Sequence, residues 1–218
     1  MSKPQHDAGD TATVPGRPPR YTLIRRAALE ARPWKNGGGV TREIAVFPEG
    51  AGMDDFVWRV SLADVAAAGP FSRFPGVDRT LVLLSGDGMV LQQDDGTRHA
   101  LRRPLELAAF AGETPIDATL PGGATRDFNL MLRRDAARGR VEVWQGAGRH
   151  VLDGDLALLF CAQGRVEVSL GDDAPIALDA DDTLRLDTAA ALACRVEGDG
   201  ALLAVSIRLL PLTPSDRS

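Results

Sequence analysis

Between residues 34 and 43 the chain reads Trp34-Lys35-Asn36-Gly37-Gly38-Gly39-Val40-Thr41-Arg42-Glu43. An aromatic ring, two cations, an amide, a hydroxyl and a carboxylate surround three consecutive glycines. Lacking Cβ atoms, Gly37, Gly38 and Gly39 can turn sharply or bring main-chain N–H groups close to a ligand. Exposed amides flanked by Lys35 and Arg42 would cradle a small anion such as a carboxylate. The same run also fits a Gly-rich bend that enters a strand with its charges solvated.

Two further polar rows stand on strand-like stretches. Asp127, Asn129 and Arg133 alternate with Phe128, Leu130 and Leu132, so a carboxylate, an amide and a guanidinium share one face. That face either lines a polar pocket or meets solvent. Arg59 and Ser61 lie opposite Phe56, Trp58, Val60 and Leu62, although Ser61 also fits a helix N-cap with Asp64 three residues on. Phe71 belongs to the stiff loop Gly69-Pro70-Phe71-Ser72-Arg73-Phe74-Pro75-Gly76, which would wall a pocket or serve as a buried connection. Glu43 and Asp127 are the candidate acid–base groups, and carboxylates beside arginines also serve simply as ion-pair partners. Only His6, His99 and His150 are present and no His-x-His pair occurs, which argues against a histidine-based metal centre. Neither a Gly-x-Ser-x-Gly elbow nor a phosphate-binding Gly-Lys-Ser/Thr motif is found.

The elements that must carry these residues read as short strands. The segments 40–47, 56–62, 80–84, 89–91, 105–110, 128–132 and 141–144 are separated by Gly/Asp/Pro turns, a spacing that predicts an all-β protein. Helix is expected in two places only: the Ala-rich stretch Ser61 to Ala68, for about two turns, and a shorter piece from Asp135 to Gly139. A repeat at a shift of roughly 75 residues relates Leu81-Val82-Leu83-Leu84 to Leu156-Ala157-Leu158-Leu159, and Phe128-Asn129-Leu130-Met131 to Leu203-Ala204-Val205-Ser206. Duplication of a β unit of this size predicts two jelly-roll barrels in one chain. Tyr21 to Glu30 precedes the first unit and is free to pair with either. Where the first copy has Asp127 and Asn129, the second has Leu202 and Ala204, so the first copy is the candidate for a polar pocket.

Composition sets the outer limits. With 218 residues, 44% hydrophobic and 25% charged, the chain can bury a substantial core. A net charge of −5 argues against a dedicated nucleic-acid binder. No apolar run approaches the ~20 residues that span a bilayer, and no signal-peptide apolar region opens the chain, so a cytoplasmic protein without membrane partners is expected. Cys161 and Cys194 sit in apolar, strand-like surroundings and read as reduced core residues. Residues 1–19 hold four prolines and no apolar periodicity, and with residues 213–218 they read as disordered tails. The folded body divides into a first barrel at 20–135 and a second at 136–212.

The motifs at 34–44, 58–61, 69–76 and 127–131 together resemble the HutD/Ves family. That resemblance spans approximately residues 21–210. It implies a bicupin fold, two cupin-like barrels in one chain, and an association with bacterial histidine utilisation. It also implies small-molecule sensing or modulation, with a formylated pathway intermediate among the candidate ligands.

Three function classes follow: a metal-free binding protein for a small carboxylated metabolite, a hydrolase or isomerase using Glu43 or Asp127 with Arg59, and a protein-interaction module. A homodimer is compatible with each. The expected site has Arg59, Ser61, Asp127 and Asn129 as polar lining and Trp34 and Phe71 as apolar walls. Over it lies the glycine loop with Lys35, Asn36, Thr41, Arg42 and Glu43. Strand alternation places Thr41 and Glu43 on the pocket side and leaves Arg42 as a structural ion-pair partner, unless a bulge near the glycines lets both faces contribute. No cofactor is expected. Protein purified without chelator should carry no stoichiometric Zn, Fe, Mn or Ni by elemental analysis, and a full equivalent of any of them would overturn the ligand count.

Overall fold

The structure, a computed structural model, describes residues 21–211. The expected tails at 1–19 and 213–218, and His6, lie outside them. The chain opens with β1 (Tyr21–Ile24), a 3-10 turn at Arg26–Ala28, and β2 (Ala31–Pro33). Then come β3 (Gly39–Phe47), β4 (Trp58–Val65), β5 (Gly69–Pro70), β6 (Val77–Ser85) and β7 (Met89–Gln93). They are followed by β8 (Arg98–Leu101), β9 (Leu107–Ala111), β10 (Ile116–Thr119) and β11 (Thr125–Arg133). Next are β12 (Ala137–Gln145), β13 (Gly148–Leu152), β14 (Leu156–Gln163) and β15 (Arg165–Leu170). The last four are β16 (Ile176–Asp179), β17 (Thr183–Leu186), β18 (Leu192–Glu197) and β19 (Ala201–Leu209).

These strands form four antiparallel sheets. A six-stranded sheet runs β2-β3-β4-β11-β6-β9, and a four-stranded sheet β5-β10-β7-β8 covers one of its faces. A five-stranded sheet runs β1-β17-β14-β19-β12, and β13-β18-β15-β16 covers it in the same manner. The orders β4-β11-β6-β9 and β12-β19-β14-β17 correspond strand for strand, as do the two outer sheets. The duplicated unit read from the sequence thus appears as duplicated topology. The sheets are open rather than closed into barrels. Ladder bonding stops at the edge strands, and each half is held by face-to-face packing instead.

The two larger sheets pack against each other at the centre. Trp58, Val60, Leu62, Phe128, Leu130 and Leu132 meet Leu156, Leu158, Phe160, Leu203, Val205 and Ile207, all 8% exposed or less, with the Phe128 and Phe160 rings 5.2 Å apart. The inner strands therefore bury both faces and read as nearly unbroken apolar runs. β1 pairs with β17, Tyr21 opposite Leu186, whereas β2 pairs with β3, Arg32 opposite Thr41. The N-terminal segment thus crosses from the second half to the first.

The expected helix at 61–68 is absent. Ser61 to Val65 continue β4, paired on both sides by β3 and β11, and Ala63 and Val65 are buried against the outer sheet. Alanine's helix preference is worth only tenths of a kcal/mol per residue and yields to two ladders and a buried face. Residues 135–139 likewise form a turn that enters β12.

Ion pairs tie the halves together on one flank. Arg126 of β11 donates to both oxygens of Asp181 at 2.9 Å, and Arg26 lies 3.4 Å from the same carboxylate. Arg25 donates to Asp182 at 2.7 Å, and the Arg26 amide donates to its other oxygen at 3.0 Å. Both aspartate side chains are nearly buried, at 5% and 6% exposed. Removing the Arg126 guanidinium would leave Asp181 with the longer Arg26 contact. Arg126→Ala is expected to lower unfolding free energy by about 1.5–3 kcal/mol in urea titration. An unchanged midpoint would show that the pair is solvated rather than structural.

Candidate functional site

β3, β4, β11 and β6 lie side by side, and their register stacks polar residues in rungs on the face turned toward the outer sheet. Asn129 of β11 pairs with Ser61 of β4, which pairs with Glu43 of β3. Met131 stands between Arg59 and Arg79, and Asp127 between Ala63 and Leu83. A bulge between Glu43 and Ala45 breaks the alternation of β3. Thr41 and Glu43, ahead of the bulge, keep the ordinary register and face the same side as Arg59 and Ser61, while the bulge lets Ile44 and Ala45 both enter the central core. The bulge sits beyond the glycines.

These rungs line a cavity of about 680 Å³. Arg59, Ser61, Thr41, Glu43, Asp127 and Asn129 furnish its polar wall, with Trp34 and Phe71 on the apolar side and Lys35 and Asn36 at the rim. Ten of the sequence-predicted residues are thereby brought together. Gly37, Gly38, Gly39 and Arg42 do not line it. The glycine amides are already used: Gly37 N–H donates to the Trp34 carbonyl and Gly38 N–H to the Asn36 side chain, both at 3.0 Å. The anion cradle expected there is instead a turn. Gly37 has φ of +71°, and a Cβ on Gly39 would stand 2.5 Å from the Asp64 carbonyl oxygen and about 3 Å from the Trp34 ring. The glycines thus let Trp34 fold back over β3, where its indole N–H donates to Thr41 Oγ1 at 2.7 Å. Arg42, on the opposite face, pairs with Asp64.

Phe74, in the loop read as a pocket wall or a buried connection, also lines the cavity, as do Arg79, Arg32, Met131 and the loop at 51–53, which were not foreseen as site residues. Arg79 had a faint signal, since in period-two alternation it shares the Leu81–Leu83 face. Its partners come only from register and packing. Its guanidinium carbon lies 5.1–5.5 Å from the ring centres of Phe110, Phe71 and Phe74, an aromatic box that favours a cation. Arg133, read as sharing the Asp127 face, turns away to the Asp54 and Phe56 carbonyls.

The buried polar groups form two chains. Arg59 donates to Glu43 at 2.8 Å and to Ser61 at 3.0 Å. Arg79 donates to the Asn129 carbonyl oxygen at 2.9 Å, and the Asn129 amide donates to Asp127 Oδ1. Burial pushes the Asp127 carboxyl up to about 7, against the opposing pull of Arg79 and Asn129. Burial also lowers Arg79 to about 10, with Asp127 opposing and Arg59 adding to the fall. A carboxyl that titrates near neutrality can accept or donate a hydrogen bond and can transfer a proton.

A larger groove of about 1050 Å³ lies at the junction of the halves. Each arginine lining it (Arg25, Arg26, Arg42, Arg126 and Arg165) is within 3.5 Å of an aspartate, which makes it an ion-pair seam. The apolar row Leu202 and Ala204 faces the second half's own outer sheet. Cys161 and Cys194 are buried and unbridged there, their thiols pushed up to about 11 by burial. Among the described residues no cluster of three or more metal-ligating side chains occurs, and no helix is long and apolar enough to cross a membrane.

Fold and cavity together define a cupin-like β protein with one polar pocket buried in its first half. The HutD family model matches residues 26–204. A 21.2 kDa protein from the hutC 3′ region of Pseudomonas putida is 40% identical over 165 residues, covering 76% of this chain and 86% of the relative. HutD from Pseudomonas fluorescens SBW25, determined in a formate condition, superposes with a TM-score of 0.77 at 31% identity over 88% of this chain and all of that one. The conserved protein PA5104 of Pseudomonas aeruginosa PAO1 gives 0.80 at 34% identity, with coverages of 87% and 99%. Cupin-like structures at 11% and 9% identity, with TM-scores of 0.64 and 0.61, share the fold alone. The chain belongs to the HutD family.

Asp127 binds its proton more tightly when folded than its ordinary carboxylate value of about 4 allows unfolded. Its contribution to stability is therefore present below about pH 4 and lost as pH rises through about 7. Between pH 5 and 8 the wild-type melting temperature should fall more steeply than that of Asp127→Asn, other titrations being common to both. Parallel curves would refute the raised carboxyl.

Proposed function

We propose that this HutD-family chain is a cytoplasmic, metal-free bicupin protein, its two cupin-like units at 20–135 and 136–212. In this reading it binds a small carboxylated metabolite of histidine or amino-acid catabolism and senses or modulates that pathway. One observation carries the reading: two arginines, Arg59 and Arg79, flank Met131 on one rung of a 680 Å³ cavity. Guanidinium groups match carboxylates in paired hydrogen bonds, and cavities of this size suit small ligands. Ser61 and Asn129, between the arginines and Asp127, are placed to read an amide or formamide. Trp34, Phe71 and Phe74 would exclude water around it. The hutC-adjacent relative supports the histidine-utilisation setting.

A second reading is favoured by the Asp127 carboxyl at about 7: acid–base catalysis by Asp127 or Glu43 with Arg59, as a hydrolase or isomerase. Product formation from any metabolite in a histidine-pathway panel would establish it. Binding without turnover supports the first.

The binding reading is tested by a thermal-shift screen of that panel, followed by calorimetry of Arg59→Ala against wild type with the best ligand. Loss of a charge-assisted contact should weaken binding by about 1.5–3 kcal/mol. Unchanged affinity in a folded variant would move the site elsewhere.

A further inference from the structure

β12 is the long edge of the molecule. In the first half the corresponding strand, β4, carries β11 on one side and β3 on the other. β12 carries β19 on the matching side, and among the described residues no strand takes the place equivalent to β3. The other edge strands are two to five residues long, which limits their pairing with another chain. β12 runs for nine residues without Pro, Lys or a register shift.

Its ladder fixes which main-chain groups are open. Leu210 N–H donates to the Ala136 carbonyl at 2.8 Å at one end, and Gly146 N–H to the Gly200 carbonyl at 2.9 Å at the other. With an unbroken register between them, even-numbered residues bond to β19 and odd-numbered ones turn N–H and C=O outward. The Arg138 guanidinium covers the Ala137 carbonyl at 3.2 Å, so the open groups are those of Gly139, Val141, Val143 and Gln145. Arg140 and Glu142 stand exposed on one face of this segment. Glu142 accepts from Arg140 at 2.6 Å and from the Trp144 indole N–H at 3.2 Å, which holds both charges in place. On the other face Val141 and Val143 pack against the central core and stay half-buried.

We propose that this edge is a self-association surface, independent of what the cavity holds. Two copies of the chain pair β12 with β12, antiparallel, about a twofold axis at Val141, and so join their five-stranded sheets. Charge selects that register. A twofold contact must be complementary to itself. With the axis at Val141, Arg140 of each copy lies opposite Glu142 of the partner subunit, at positions outside the hydrogen-bonded pairs, where facing side chains come closest. Signs then alternate both along and across the two strands. An axis at Arg140 or at Glu142 would set that residue against its own copy, like charge on like. An axis at Gly139 would oppose Arg138 to the partner's Arg140, and one at Val143 would face Glu142 with Trp144 and lose both ion pairs. In the chosen register Val141 meets its own copy and Val143 lies across from the partner's Gly139, so half-exposed apolar surface is covered as well.

The test reads the assembly state of the full chain by sedimentation velocity over about 1–100 µM. Wild type should be a dimer in the upper part of that range. Arg140→Glu and Glu142→Arg should each weaken self-association by about tenfold or more, because each sets like charges across the axis. Mixed in equal amounts the two variants should form a dimer, since one then carries two acids where the other carries two bases. The doubly exchanged chain, Arg140→Glu with Glu142→Arg, should dimerise as wild type does. Val141→Pro removes an outward N–H and leaves the β19 ladder intact; it should be a monomer with the wild-type circular dichroism spectrum. A monomeric wild type overturns the proposal, whether the chain's own ends or another protein then covers the edge. So does a wild-type dimer that both charge variants retain, and so does a mixture of folded variants that stays monomeric. None of these readings requires the proline variant to fold.

Discussion

Strand β11 places two opposed environments a few ångströms apart, and the rest of the structure follows from keeping them separate. Its even-numbered residues Phe128, Leu130 and Leu132 fill the apolar interface between the two large sheets. Its odd-numbered residues Asp127 and Asn129 are equally buried, on the opposite face. Period-two alternation makes this possible, and a one-residue slip would exchange the faces entirely. β11 pairs over its length with β4 and β6, which pins the register on both sides. The ladder shift in β3 acts just beyond Glu43, which keeps its place toward the cavity by alternation, and lets Ile44 and Ala45 both stay in the core.

Burying that polar face demands partners. Arg59 finds Glu43 and Ser61, while Arg79 finds Asn129 and a box of three phenylalanine rings. Asp127 is where compensation is incomplete, and its raised carboxyl is the electrostatic signature of that deficit. Residues that violate the usual rule of full hydrogen bonding cluster at functional sites. The second half shows what the same topology does without such a demand. Leu202 and Ala204 replace the polar pair, and its inner space fills with Leu, Val and Cys side chains.

The two halves communicate through different chemistry at centre and flank. The centre is apolar and continuous. The flank is ionic, with Asp181 and Asp182 held by arginines from β11 and from the crossing N-terminal segment. Arg42 and Asp64 join this seam, which explains why a cation next to the glycine turn contributes to cohesion rather than to the cavity.

Much of this was legible without coordinates, because alternation and duplication are properties of the chain itself. The all-β class, the paired units and the segregation of Asp127 and Asn129 from Phe128 and Leu130 follow from spacing alone. So does the placement of Thr41 and Glu43 opposite Arg42. Tertiary structure decided what depends on neighbours distant in the chain. Residues 61–65 became a central strand because β3 and β11 flank them, overriding alanine's local preference. Gly37 and Gly38 became a turn beneath Trp34, their amides used internally. The sheets stayed open because face packing, not ladder closure, completes each half. Arg79 joined the site only because β6 lies beside β11 with Met131 opposite it. Local sequence carries the period of a strand, but which residue stands across from which is fixed by pairing and burial between distant segments, and the cavity is made of those pairings.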